Sequence, residues 1–328
     1  MLELGFTAQD LARTRFAFSP LWEVVASVRV LKEPAAHALH LPWISAATER
    51  VRGLDLRVLD ALVPVPALCL PAFLAPTPTT PVPDLADELD ALRAVPEDEV
   101  RAGVDLLGNP PVLQALYDDP AKGLAELADT VAAYWDTALL PHWPRIRALL
   151  EGEVLYRSRR LAEGGAQRLF VDLDPAVSWT GDSLVVQRKT PAKLQLDGRG
   201  LVLVPSVFVW PKVFSKIVDS WQPVLRYPPR GIATLWERGR NPVPDALAAV
   251  LGPSRAQILA ELDAPASTTE LARRTGITAG GVSQQLSLLR DAGLVTSNRT
   301  GRFVLYQRTP AADALLGAGA GVDGLSSS

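Results

Sequence analysis

The 328-residue chain has a single cysteine, Cys69. That excludes an internal disulfide and any site built from several thiolates. Histidine is almost as scarce: His37, His40 and His142 are the whole supply. His37 and His40 stand one turn apart, but a zinc site needs three or four ligands. The pair is therefore expected in a solvated loop, with no metal bound. No apolar run approaches the length that spans a bilayer, so no membrane partner is expected. Residues 1–6 lack a basic segment followed by a long apolar stretch, so no signal peptide is expected and the setting reads as cytoplasmic. There is no Gly-x-Ser-x-Gly elbow and no glycine-rich phosphate loop. Ser, His and Asp residues occur without a motif that ties them together. Neither catalytic residues nor a cofactor is expected, and the chain reads as a non-enzyme. Lysine is rare beside arginine, a mark of a GC-rich genome.

Hydrophobic residues make up 48% of the chain, enough to bury more than one core. The length calls for two or three domains. The formal charge of −3 is unevenly spread. Residues 1–151 carry 12 basic and 21 acidic side chains, residues 152–241 carry 14 and 8, and residues 246–316 carry 7 and 5. A nucleic-acid partner would use the two later segments.

Along the chain, Leu2, Leu4 and Phe6 alternate as in a short strand. Thr7 with Asp10 can cap a helix over 10–18. Ser19-Pro20 starts another, with Leu21, Val24, Val25, Val28 and Leu31 as its apolar stripe. The proline-rich stretch 64–83 reads as a semi-rigid connector. Helices follow over 84–94, 124–139 and 143–158, and Gly164-Gly165 is a turn. Strands are then expected over 169–171, 184–187, 193–196 and 201–204, with Asp197-Gly198-Arg199-Gly200 as a hairpin turn. Segments 207–210, 223–227 and 232–235 would extend that sheet. Asn241-Pro242-Val243-Pro244 is the linker, and helices over 245–251 and 254–262 open the last domain. All eight tryptophans precede it. Their plain reading is core packing; the functional one is an apolar pocket for a small effector or a protein-binding surface.

Residues 267–308 carry the densest signal. Ser267 and Glu270 form a capping box, and Gly276 suits a left-handed helix end. Thr278 caps a second helix that Gly293 stops. Val282, Leu286 and Leu289 recur at i, i+4 and i+7 as a buried stripe. The outward face carries Gly280, Gln284 and Ser287, flanked by Ser283. A solvated helix usually shows Glu, Lys and Arg there. Small and amide side chains instead suit base edges, where an amide donates and accepts at once. Short strands 294–295 and 303–306 flank a polar turn with Arg299 and Arg302.

The strings Glu270-Leu271-Ala272, Val282-Ser283, Leu286 through Leu289, Asp291-Ala292-Gly293-Leu294-Val295 and Arg299-Thr300-Gly301-Arg302 resemble the ArsR-type bacterial transcription regulators. That family usually has His where this chain has Gln285. The likeness covers residues 253–316. The front part, through Asp10-Leu11-Ala12-Arg13, Phe16, Ser19-Pro20-Leu21-Trp22-Glu23 and Asp197-Gly198-Arg199-Gly200-Leu201, resembles the long extension of a subgroup from high-GC bacteria. The resemblance implies a winged helix-turn-helix and no particular ligand.

The expected fold is α+β. A domain over 1–240 is helical over 1–160 with antiparallel strands over 165–236. A winged helix-turn-helix follows over 245–317, and 318–328 form a disordered tail. The expected function is sequence-specific binding of double-stranded DNA by a homodimeric repressor that answers to a small organic effector, or to none. Thr278, Gly280, Ser283, Gln284, Gln285, Ser287, Arg299 and Arg302 are the expected contacts. The competing expectation makes the front domain an effector- or protein-binding module with DNA binding secondary; an enzyme fused to a regulator is a third.

Overall fold

The computed structural model describes residues 1–66, 70–188, 191–236, 245–262, 266–300 and 303–320. The chain forms two compact units, Met1–Trp236 and Glu237–Ser328. Cys69 and the expected linker 241–244 lie outside the described residues.

The first unit begins with β1 (Leu2–Gly5), α1 (Ala8–Arg13), β2 (Arg15–Phe16) and α2 (Pro20–Lys32). Thr7 and Asp10 cap α1 reciprocally. That helix ends at Arg13 rather than running to 18, because residues 15 and 16 pair with a distant strand. Ser19 caps α2. This helix is buried from Pro20 to Val30, so its apolar stripe is no boundary between core and water. Ser27 and Arg29 find partners inside, whereas the buried Trp22 indole N–H has none among the described residues. Ser27 donates to the Val24 carbonyl at 2.8 Å and meets the Tyr134 hydroxyl at 3.0 Å. The Arg29 guanidinium donates to the carbonyls of Phe208 and Val209.

On α2 pack α3 (Leu41–Val51), α5 (Leu85–Arg93) and α8 (Pro120–Tyr134), which a π-turn at Trp135–Leu139 continues; α4 (Arg57–Leu62), α6 (Glu97–Asp105) and α7 (Gln114–Asp118) pack on α8. The expected connector 64–83 is no surface linker: Phe73, Leu74, Ala75 and Thr77 are buried. The helix α9 (Trp143–Phe170) breaks at Gly164 and Gly165, and its last turn takes the place of the expected strand 169–171. Arg157 holds that join. Fully buried, it pairs with Glu153 and Asp172 and donates to the carbonyls of Leu169 and Val171.

The strands are β3 (Val177–Trp179), β4 (Ser183–Val186), β5 (Ala192–Gln195), β6 (Val202–Pro205), β7 (Phe214–Lys216) and β8 (Val224–Tyr227). The α+β class holds, but they form two mixed four-stranded sheets instead of one antiparallel sheet. The first has order β3-β4-β1-β5, with β1 parallel to β5; the second has order β2-β6-β8-β7, with β6 parallel to β2 and β8. Residues 197–200 therefore close no hairpin; they carry the chain from one sheet to the other. Gly200 lies at φ +70, and a Cβ there would come 2.7 Å from the Arg13 backbone. Its N–H donates to Asp10 at 3.0 Å, tying the crossover to α1. Segment 207–210 is a turn and Ile232–Thr234 a 3-10 helix, so neither extends the sheet. The turn is held by Glu23, which accepts from Ser206, Val207 and Phe208.

The histidine pair is buried, not solvated: His37 is 1% exposed and His40 0%. Phe208, Trp210 and Trp236 rings stand within 6.3 Å of the His40 ring. Trp236 donates its indole N–H to His40 Nδ1 at 2.8 Å. Burial pushes the His40 imidazolium down to about 3, so the ring is neutral. Distant aromatic residues supply this cover, and the local sequence gives no sign of them.

Candidate nucleic-acid interface

The second unit contains α10 (Asp245–Leu251), α11 (Pro253–Ala260), β9 (Ala266–Ser267), α12 (Thr268–Thr275), α13 (Ala279–Asp291), β10 (Val295–Thr300), β11 (Phe303–Arg308) and α14 (Pro310–Ala320). The Ser267 hydroxyl accepts the Glu270 N–H at 3.2 Å, which starts α12. Gly276, at φ +73, ends it. Thr278 accepts the Gly281 N–H at 3.2 Å and starts α13. Two helices joined by so short a turn must cross, and their apolar faces close on one core. Val282, Leu286 and Leu289 enter that core with Ile258, Leu259, Leu262 and Leu271. The expected stripe is thus the buried face of α13.

The other face is open. Thr278, Gly280, Ser283, Gln284 and Ser287 are exposed, and Gln285 is half-buried on the flank. Leu288 is also exposed, at 46%. Gly280 has nothing within 4 Å of where a Cβ would stand, so its small size leaves free space in front of the helix. Among the described side chains, this face presents hydroxyls and one fully exposed amide between Thr278 and Ser287.

β10 and β11 pair antiparallel from Val295 with Arg308 to Thr300 with Phe303. The hairpin is longer than the expected 294–295 and 303–306. β9 pairs with the middle of β11, at Leu305 and Tyr306. Arg299 stands opposite Val304; its side chain, and the whole of Gly301 and Arg302, lie outside the described residues. α14 was absent from the sequence pattern. It takes residues 318–320 out of the expected tail, and residues 321–328 lie outside the described residues. Thr309 ties it to the end of α13 by donating its hydroxyl to the Gly293 carbonyl at 2.8 Å.

The arginines divide by what they touch. Arg274 pairs with Glu270 and donates to the Glu261 carbonyl. Arg308 pairs with Asp313 and donates to the Leu259 carbonyl, and Arg255 donates to the Leu251 carbonyl. These three fasten helices. Arg290, near the end of α13, is exposed and only 3.9 Å from Asp291. It is a cation at the edge of the open face that the sequence reading passed over. Its i+3 spacing from Ser287 was the available signal.

A helix-turn-helix domain model matches residues 251–298, from the end of α10 into β10. The HTH-type transcriptional regulator NmtR of Mycobacterium tuberculosis (strain ATCC 25618 / H37Rv) is 38% identical over 78 residues. The second unit is a helix-turn-helix domain with a β-hairpin, similar in sequence to that regulator. The aligned stretch is 24% of this chain and spans 65% of that relative's length. Ahead of that unit, residues 109–232 match a family of unknown function (DUF5937). No solved structure matches the chain.

Among the described residues no three His, Cys, Asp or Glu side chains are grouped so that they could hold a metal ion. No described helix is long and apolar enough to cross a membrane.

Proposed function

We propose that this chain is a DNA-binding transcription regulator whose α13 enters the major groove. The observation that carries the reading is the open, uncharged face of α13 on an ArsR-type unit. Ser283 and Gln284 are placed to meet base edges, with Gln284 as the bidentate reader of adenine. Gly280 allows close approach. Gln285 contributes from the flank and Ser287 one turn further on. Thr278, at the start of the helix, brings its backbone N–H to a phosphate. Arg299 and Arg302 hold phosphate or reach the minor groove from the hairpin.

The reading extends to a homodimeric repressor. Two copies would meet half-sites about one helical turn apart, and doubling the unit doubles a weak positive field. The first unit would receive a non-metal effector. The test is recovery of DNA: the purified full chain is mixed with genomic fragments and the retained fragments are sequenced. Enrichment of a shared two-fold motif supports the reading. Retention without any common motif contradicts sequence-specific recognition.

One observation favours a larger role for the first unit. It contains a cavity lined by two buried basic side chains, which could take a ligand whether or not DNA is the chief partner.

A further inference from the structure

The first unit contains a partly open cavity of about 300 Å³ between α2, the segment ahead of Thr77, and strands β7 and β8. That is the small end of the range for ligand pockets. Trp22, Val25, Leu74 and Phe214 form its apolar walls; Lys216 and Arg226 are buried basic groups in its lining, and the exposed Arg188 also borders it. The register of β7 on β8 sets Phe214 opposite Arg226 and Lys216 opposite Val224. Alternation along each strand then places Phe214, Lys216 and Arg226 on one face of the sheet.

Both basic groups are buried, Lys216 at 9% exposed and Arg226 at 3%; burial lowers the Lys216 ammonium to about 6, so at pH 7 the full charge in the empty cavity is that of Arg226. The Ala75 carbonyl accepts from both, Lys216 Nζ at 2.9 Å and Arg226 Nη2 at 3.3 Å. Aromatic faces cover them: Trp221 lies 4.3 Å from Lys216 Nζ, and Trp22 lies 4.0 Å from the Arg226 guanidinium carbon. Neither group has a carboxylate within 4.0 Å among the described residues. Glu88 and Glu99 act on them only through space. Arg226 Nε is buried and has no hydrogen-bond partner. Buried cations are ordinarily paired, because leaving water is costly. Here Arg226 has only a neutral acceptor, which it shares with Lys216, beside empty space with apolar walls.

We propose that this cavity binds a small organic monoanion, a carboxylate on an apolar body. The carboxylate accepts from Arg226 Nε–H and Lys216 Nζ–H, and the body lies on Trp22, Val25, Leu74 and Phe214. Two donors converging on one carboxylate fix its orientation, and the walls select for carbon rather than for a second charge. The inference deepens the effector role proposed above. It rests on that reading for what binding does to DNA, while binding itself stands apart.

The test is isothermal titration calorimetry of the full chain at pH 7 with phenylacetate and hexanoate, beside their neutral amides and inorganic phosphate. At least one acid is expected to bind at least tenfold more tightly than its amide and than phosphate, and to change tryptophan fluorescence through Trp22. K216M and R226M are each expected to weaken that acid at least tenfold. If either variant fails to fold, the acid and amide pair on the parent chain decides. Equal affinity for acid and amide, phosphate binding as tightly as either acid, absence of binding by both acids, or folded variants that keep parental affinity each overturn the inference. The calorimetry contains no DNA, so its outcome is separate from that of the fragment-recovery experiment.

Discussion

Replacing Glu23 with alanine tests how the first unit is held together. Glu23 is 1% exposed. Its Oε1 accepts from the Val207 N–H at 2.8 Å, and its Oε2 from the Ser206 hydroxyl at 3.0 Å and the Phe208 N–H at 3.2 Å. In the alanine variant the hydroxyl can turn elsewhere, but two backbone N–H groups stay buried without acceptors. Each costs about 1–3 kcal/mol, so Glu23→Ala should destabilise the unit by about 2–6 kcal/mol. The cost should depend on pH. Burial raises the carboxyl from 4.5 to about 7, against the three donors that lower it. The folded state therefore holds the proton more tightly than the unfolded one. That contribution is complete below the unfolded value and is lost as pH rises through about 7. Between pH 5 and pH 8 the cost of Glu23→Ala should shrink by roughly 2–3 kcal/mol. Glu88, His40 and Lys216 titrate in both proteins and cancel in the difference. All eight tryptophans precede residue 237, so urea unfolding followed by their fluorescence reports this unit alone. Glu23→Gln should show a smaller cost with the same pH trend relative to the parent. A cost that stays constant or grows with pH would refute the reasoning, because the ionised carboxylate would then be the stabilised form.

Leu286 is fully buried in the second core, so Leu286→Ala should cost about 2–5 kcal/mol in that unit. Circular dichroism in urea should show it while the tryptophan transition stays in place; an unchanged midpoint would remove α13 from the core. Arg302→Ala should weaken binding to all DNA sequences alike and lower the salt slope by about one unit, as expected for one lost phosphate contact. An unchanged slope takes the hairpin out of the interface. Zinc, cadmium and arsenite at micromolar levels should leave DNA affinity unaltered. A shift of tenfold, about 1.4 kcal/mol of coupling, would return attention to His37 and His40.

The second unit was legible because its signals are local. Ser267, Gly276, Thr278 and Gly293 mark helix ends within a few residues of the groups they serve, and the spacing of Val282, Leu286 and Leu289 fixes the buried face. Helix α14 escaped notice because the Pro-Ala-Ala-Asp start at 310–313 lacks a strong apolar period. In the first unit the decisive pairings are distant. Leu2 pairs with Val186 and Arg15 with Val202. No local pattern names such partners, so two mixed sheets read as one antiparallel sheet, and a crossover with three residues at positive φ read as a hairpin. His37 and His40 looked solvated because their aromatic cover comes from residues 208, 210 and 236. Lys216 and Arg226 each left a trace, as a basic residue inside an apolar strand. Their meeting at one cavity depends on the register of β7 on β8, which the sequence alone does not reveal.

The central claim is that the open face of α13 reads base edges, and Gln284 tests it most directly. With the enriched fragment as target, fluorescence anisotropy compares the parent with Gln284→Ala on that target and on random duplex of equal length and salt. The account predicts a loss of about 1–3 kcal/mol on the target with almost no change on random DNA. Equal loss on both, or none on either, would contradict it.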